Sequence, residues 1–506
     1  MRITTFAAID VGSYEVEMKI FELSSQKGMK EIDSIRRRIE LGKDVYATGK
    51  VSVAKVEELC ALLQDFVVIM EGYKVDAYRA CATSAIREAE SQLILVDYIE
   101  KQTGLKLEVL SNSEQRFLDY KCIASRENEF NKIIQKGTAI VDVGGGSVQI
   151  SLFDKDSLVT TQNMRMGNLR IREKLADLQC SESHSEKLIE ELINNELSSF
   201  EKLYLRDREI QNIIIVGDYI SEIMEKPSVT RAEFMEIFNS ISGCSPEEIA
   251  EKNEIPVESA SLIMPSMVIY KRMVEEIGAE TIWMPGLNLT DGLAFDYAQK
   301  KKILKFGHNF DNDIIASARN MAKRYMCSKA HIKTLEELAL AIFDKTKKIH
   351  GLSARERLLL QIAVILHGCG KYVSLSNVAE CSYSIIMATE IIGLSHSERE
   401  IIANVVKFNT MDFDYYDKLS SYTSINQREY LLIAKLTAIL RIANALDRSH
   451  KQKFKNVKIS LKEKELIILV ETDEDITLEK GLLPEKAAFF EEVFSLEPVI
   501  RQKKKI

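Results

Sequence analysis

Two short segments of this chain end an apolar run with an aspartate, glycine and a hydroxyl. Residues 5–13 read Thr-Phe-Ala-Ala-Ile-Asp-Val-Gly-Ser and supply Asp10, Gly12 and Ser13. Residues 138–147 read Thr-Ala-Ile-Val-Asp-Val-Gly-Gly-Gly-Ser and supply Asp142, Gly144, Gly145, Gly146 and Ser147. Glycine lets backbone N–H groups approach phosphate oxygens with no side chain in the way. The serine hydroxyls add donors, and Asp10 and Asp142 can orient a divalent metal or its waters. One Asp-x-Gly turn is commonly just a hairpin. Two copies in equivalent positions, one extended to Gly-Gly-Gly-Ser, point to a phosphate site.

The elements that must position these residues are legible around them. Each copy leaves its turn as an alternating strand, Val16 to Leu23 in one case and Val148 to Phe153 in the other, which is the pattern of a hairpin with a glycine-permitted turn. The repetition makes the first part of the chain, about 300 residues, two similar α/β halves. Between the copies the pattern predicts a strand at 78–83, a helix at 92–103, a strand at 106–110 and a helix from Glu114 capped by Ser111 or Ser113. The second half carries strands at 213–216 and 281–284 and closes through Pro285-Gly286 to Asp291-Gly292. From about Asp311 the pattern turns all-helical, at 313–325, 333–350, 354–366, 383–392, 397–407 and 428–446. Strands at 457–461 and 466–470 and a helix at 484–494 follow, and the basic run 501–505 reads as a solvated tail.

Composition narrows the class. A chain of 506 residues exceeds one hydrophobic core and implies three or four units. Its 46% apolar and 28% charged residues are those of a soluble globular protein, and no apolar run approaches a membrane span. The N-terminal apolar run is too short for a signal peptide, so the expected location is the cytoplasm. Eight cysteines occur without a Cys-x-x-Cys pair, which predicts reduced thiols. The net charge of −8 argues against nucleic acid or an anionic membrane as partner but leaves room for a local phosphate pocket.

Three ordered segments carry a specific resemblance: Ala8 to Ser13, Ala82-Thr83-Ser84-Ala85-Ile86-Arg87-Glu88-Ala89, and Asp142 to Ser147. Together with Met166-Gly167 and Pro285 to Gly292, the chain resembles the exopolyphosphatase and guanosine pentaphosphate phosphohydrolase family over essentially its whole length. The implied fold class is α/β. Duplicated actin-like ATPase (ribonuclease H-like) halves at 1–125 and 126–305 precede an all-α HD-like domain at 306–450 and a small α+β segment at 451–506. Family members release terminal phosphate from polyphosphate or guanosine pentaphosphate with a divalent metal. The resemblance therefore implies magnesium held by Asp10 and Asp142, and a homodimer. Phosphate contacts would come from Asp10, Gly12, Ser13 and from Gly144 to Ser147. Arg87 would add a bidentate cation.

The chain also departs from the family pattern. Where the family reads Ser-Gly-x-Glu-Glu, with the second glutamate as base, this chain reads Ser111-Asn112-Ser113-Glu114-Gln115. A family glutamate two residues after the glycine-rich turn's serine is Gln149 here. Glutamine cannot accept a proton near neutral pH, and losing general-base help typically costs about 10²- to 10⁴-fold in rate. Glu114 is adjacent, but one helical step turns its side chain by about 100°. Tyr14-Glu15 replace the family's Asn-Ser, which makes Glu15 a candidate relocated base. Val216-Gly217-Asp218-Tyr219 replaces a glycine- and threonine-rich turn and makes a poor phosphate cradle.

In the helical domain, His331 and His367 match two HD signatures. The aspartate of the His-Asp pair is Gly368, a histidine-rich stretch is reduced to the region of Cys381, and the final aspartate is Asn444. His331, His367, Cys381 and Asn444 thus mark a degenerate metal site, with Lys371, Arg441 and Arg448 as candidate cations for a long anion. Two readings stay open: a phosphohydrolase weakened by Gln115 and Gln149, and a non-catalytic binding protein for polyphosphate or a nucleotide. A sugar kinase or chaperone ATPase fits less well, because the adenosine-side glycine turn is missing.

Overall fold

The computed structural model describes residues 3–503 apart from 156, 180–181, 207, 218–219, 221–222, 225 and 306. The chain divides into two compact units, Met1–Phe310 and Asp311–Ile506. Asp218 and Tyr219, at the altered turn, lie outside the described residues.

The first unit holds two sheets. Strands β1 (Thr4–Val11), β2 (Glu15–Ser24), β3 (Gly28–Arg38), β4 (Ala77–Ala82) and β5 (Leu107–Val109) form one, in the order β3-β2-β1-β4-β5. The other contains β6 (Gly137–Val143), β7 (Val148–Asp154), β8 (Ser157–Met164), β9 (Ile210–Val216), β10 (Ser228–Thr230) and β11 (Thr281–Trp283). Its order, β10-β11-β9-β6-β7-β8, repeats the first with β10 added at one edge. Both sheets place an antiparallel hairpin beside a parallel strand, β1 on β4 and β6 on β9. This is the duplicated actin-like arrangement.

The two hairpin turns close alike. The Gly12 N–H donates to the Glu15 carbonyl at 3.0 Å and the Gly144 N–H to the Ser147 carbonyl at 3.0 Å. Register then sets Asp10 opposite Glu17 and Asp142 opposite Gln149. A one-residue slip would turn every strand side chain to the other face. Burial of Ala7, Ile9, Val11, Val16, Met18 and Ile20 in one cluster holds the first register. Ala139, Val141, Val143, Val148, Ile150 and Leu152 do the same in the second.

The opposite face of the first sheet, with Phe6, Ala8, Phe21 and Leu23, is covered by Leu289, Leu293, Ala294 and Ala298. These belong to the helix Leu289–Lys300, which follows the second sheet in sequence. The chain thus returns to the first sheet after completing the second. A Cβ added at Gly292 would meet the Leu118 carbonyl oxygen at 2.6 Å, so this glycine lets the returning helix lie against the helix Asn112–Ala124.

The second unit begins within the helix Phe310–Arg324, followed by Lys329–His350, Ala354–Leu366, Val378–Ala388, His396–Phe408 and Gln427–Leu446. The helix expected at 383–392 starts and stops earlier. Its backbone becomes extended at Thr389 (φ −102°, ψ 129°), and Ile391, Ile392 and Leu394 are buried in non-helical chain. Strands β12 (Lys455–Lys462), β13 (Glu465–Glu471) and β14 (Glu497–Lys503) make a small sheet in that order. Part of the basic run read as a tail is therefore the edge strand β14, parallel to β13, with Arg501 paired to Glu465 at 2.6 Å. The helix expected at 484–494 begins earlier, at Thr477, with Pro484 inside it. Among the described residues, no helix is long and apolar enough to cross a membrane.

Candidate active site

The two hairpin turns meet at one cavity of about 130 Å³, lined by Asp10, Gly12, Ser13, Asp142, Gly144, Gly145 and Ser147 together with Gln115 and Gln149. Glu15, Thr83, Ser84, Asp119 and Gly217 complete much of its wall. The turns approach so closely that a Cβ on Gly145 would lie 3.1 Å from the Ser13 Cβ. Ser13, Ser84 and Tyr46 form a hydroxyl triad, with Ser13 Oγ 2.7 Å from Tyr46 Oη and 2.6 Å from Ser84 Oγ.

The glycine-rich turn is held from behind by the start of the helix Asn168–Asp177. The N–H groups of Asn168 and Arg170 donate to the carbonyls of Gly144 and Gly145 at 3.0 Å each, and Arg170 Nε donates to the Gly146 carbonyl at 3.1 Å. A trans peptide sends the next residue's N–H to the side opposite its carbonyl. The N–H groups of Gly145, Gly146 and Ser147 therefore point away from that helix, as a phosphate cradle requires. Gly167 permits the approach, since a Cβ there would sit 2.3 Å from the Gly145 carbonyl oxygen.

Three residues expected in the site are placed elsewhere. Gly146 does not line the cavity; it packs under Tyr46, whose hydroxyl would be 2.2 Å from an added Cβ. Arg87 is not a lining residue either, and its guanidinium donates to the Leu110 carbonyl at 2.6 Å. Glu114 is engaged as the helix cap: its carboxylate accepts from the Ser111 N–H at 3.0 Å, while Ser111 Oγ accepts from the Glu114 N–H at 3.3 Å. That capping box fixes the start of the helix Asn112–Ala124 and aims Gln115 at the cavity.

The amides that stand at the expected base positions have different surroundings. Gln149 Oε1 accepts from the buried Arg116 Nε at 3.1 Å. Gln115 Oε1 is buried without a hydrogen-bond partner among the described residues. Asp119, four residues beyond Gln115, is buried and lines the same cavity. Burial, with the charges of Asp142 and Asp10, pushes its carboxyl well above the usual range against the opposing pull of Arg116. Glu17, opposite Asp10, accepts from Asn288 Nδ2 at 2.8 Å, Thr290 Oγ1 at 2.9 Å and Arg36 Nε at 2.8 Å. These bonds tie the returning helix to the first hairpin and occupy Glu17 structurally.

Sequence reading missed Asp119 and Tyr46. The i, i+4 spacing of Gln115 and Asp119 on one helix was a usable signal. Tyr46 reaches Ser13 only through tertiary packing and gave none.

Residues 19–301 match the model of the Ppx/GppA phosphatase family, and residues 315–486 match that of Ppx/GppA phosphatase domain III. The chain belongs to the Ppx/GppA phosphatase family. A Ppx/GppA crystal structure from Aquifex aeolicus aligns with a TM-score of 0.50 at 20% identity, covering 61% of this chain and 100% of that one. An exopolyphosphatase from Cytophaga hutchinsonii gives 0.51 at 15%, covering 60% and 100%. At these identities the likeness is one of fold. A bifunctional 3-dehydroquinate synthase/phosphatase from Fusobacterium nucleatum is 22% identical over 174 residues, which are 33% of this chain and 26% of that relative. The chain thus spans about a quarter of that curated relative's length.

In this Ppx/GppA protein's second unit, His331 and His367 come together, their ring centroids 5.1 Å apart. Asn444 instead donates to Asn409 at 3.5 Å, and Cys381 is half-buried on the helix Val378–Ala388. The residues that join the histidines are Asp447, 2.7 Å from His331 Nδ1, and His450, stacked on His331 at 3.5 Å. Arg441 is occupied with the Phe408 and Met411 carbonyls at 2.7 and 2.6 Å. Among the described residues, no group of three or more His, Cys, Asp or Glu is arranged to hold a metal ion.

Burial lowers His367 from 6.5 to about 3, although its Nδ1 bond to the Val364 carbonyl opposes the shift. Burial, followed by the charge of His331, lowers His450 to about 4. Both folded values lie below the ordinary one. Their stabilisation is therefore present above about pH 6.5 and is lost as pH falls toward the folded values. Thermal melts should drop between those limits, and His367→Gln should flatten the drop. An unchanged slope in the variant would remove His367 as its source.

Proposed function

We propose that this chain is a phosphohydrolase acting on the terminal phosphate of inorganic polyphosphate or guanosine pentaphosphate, slowed by amides at its base positions. The observation that carries the reading is the convergence of both Asp-x-Gly turns, two serine hydroxyls and Gln115 and Gln149 on one cavity. Family membership supports phosphate-ester or phosphoanhydride chemistry, and the name of the Cytophaga protein favours polyphosphate.

Asp10 and Asp142 offer hard oxygen donors that suit magnesium. Magnesium is usually bound through one or two carboxylates, waters and substrate phosphates rather than an all-protein cage, so the donor set fits. When bound, the ion neutralises charge on the phosphate oxygens. The chain's own groups do the rest: backbone N–H groups of the glycine-rich turn and the Ser13 and Ser147 hydroxyls hold the phosphate. Gln115 hydrogen-bonds and orients the attacking water, as an amide can do without taking its proton.

Gln115 and Gln149 also favour a second reading, a protein that binds these ligands without turnover. Phosphate release and binding measured in parallel on polyphosphate, guanosine pentaphosphate and ATP separate the two. The proposal expects binding and slow release for one of the first two and neither for ATP. Binding with no release assigns the second reading, and binding of none overturns both.

A further inference from the structure

We propose that Asp119 is a catalytic residue of this chain, the carboxylate that takes the proton of the attacking water which Gln115 holds. The proposal rests on the phosphohydrolase reading above and deepens it. Gln115 and Asp119 share one face of the helix Asn112–Ala124, one turn apart, where Cβ atoms stand about 5–6 Å from each other. Both line the cavity between the two phosphate turns.

The division of labour follows from the side chains. Gln115 lines the polar cavity, and its buried Oε1, with no partner among the described residues, is an acceptor still to be satisfied. Gln149 presents a second amide, anchored by Arg116 from the same helix. Neither amide can accept a proton, whereas Asp119 can in its ionised form, and the burial that raises its carboxyl makes that form the stronger proton acceptor. Glu17 is bound by three donors, Glu114 is the helix cap, and Glu15, which also lines the cavity, lies at the start of β2 and not on the helix of Gln115. Asp119 alone among these carboxylates combines the helix face of Gln115 with a place in the cavity wall.

In the step, the water oxygen forms a bond to the terminal phosphorus and the bridging P–O bond breaks. Its electron pair leaves on the shortened chain, while the water proton passes to the Asp119 carboxylate and from there to solvent. A base placed one helical turn from the water-holding group is reached less directly than one at position 115, as the slow turnover proposed above requires.

The test uses the full chain, long-chain sodium polyphosphate and magnesium. Wild type, Asp119→Asn, Gln115→Glu and the double variant are compared for kcat, KM and retention of polyphosphate on native gels. Asp119→Asn should lower kcat about 10²- to 10⁴-fold with KM and retention unchanged. The double variant should turn over at the Gln115→Glu rate, because a base at 115 makes Asp119 dispensable. A merely structural Asp119 would instead lower kcat and retention together in both backgrounds, which overturns the proposal. Unchanged kcat in Asp119→Asn overturns it too. Wild type that retains polyphosphate but releases no phosphate removes the Asp119 role and leaves the binding reading; wild type that does neither removes the phosphohydrolase reading itself.

Discussion

Gln115→Glu is expected to accelerate phosphate release from polyphosphate by up to about 10²-fold, because it puts a general base at the water-holding position, where wild type relies on the less direct Asp119. The capping box of Ser111 and Glu114 fixes the helix start, so a glutamate at 115 would enter the cavity along the path the amide now takes. The isosteric change leaves shape intact and adds one carboxylate on the helix face that also carries Asp119. The gain should therefore appear in kcat, and KM should rise if added negative charge repels the substrate. A rate equal to wild type, with the fold intact by circular dichroism, would mean that the base position is not what limits turnover.

Gly167→Ala should do the opposite and remove phosphate binding. The added Cβ would stand 2.3 Å from the Gly145 carbonyl oxygen and 2.4 Å from that of Gly144, both backbone atoms of the cradle. Neither can move away without breaking the bonds from Asn168 and Arg170 that orient the turn. Overpacking of this kind costs about 1–3 kcal/mol, and more where the neighbour is backbone. Polyphosphate retention should be lost while the thermal midpoint falls by several degrees. Gly72→Ala serves as the control: its added Cβ meets nothing within 4 Å, so binding should be unchanged. Retention by Gly167→Ala equal to that of the control would show that the turn does not need this close approach.

Much of the site was legible because its determinants are local. Each Asp-Val-Gly turn is written in a few consecutive residues, and the Ser111 cap is announced by Glu114 three residues on. What escaped was tertiary. Tyr46 meets Ser13 from 33 residues away, and Glu17 is held by Asn288 and Thr290 from the far end of the unit. Arg87 has the chemistry of a phosphate ligand, yet its helix directs it to the Leu110 carbonyl. Strand β14 was hidden by its charge: Val499 and Ile500 sit between Glu497 and the basic run, which resembles a solvated tail until β13 pairs with it. Asp447 and His450 lie beside Asn444 and Arg448, which the sequence does single out, but residue type alone did not say which polar groups there face His331.

Steady-state phosphate release from long-chain polyphosphate by the purified full chain, with magnesium and with Asp142→Ala alongside, tests the central claim most directly. Slow, saturable release by wild type that disappears in Asp142→Ala is the predicted result. Release that persists in Asp142→Ala, or wild type that neither releases phosphate nor retains polyphosphate, would contradict it.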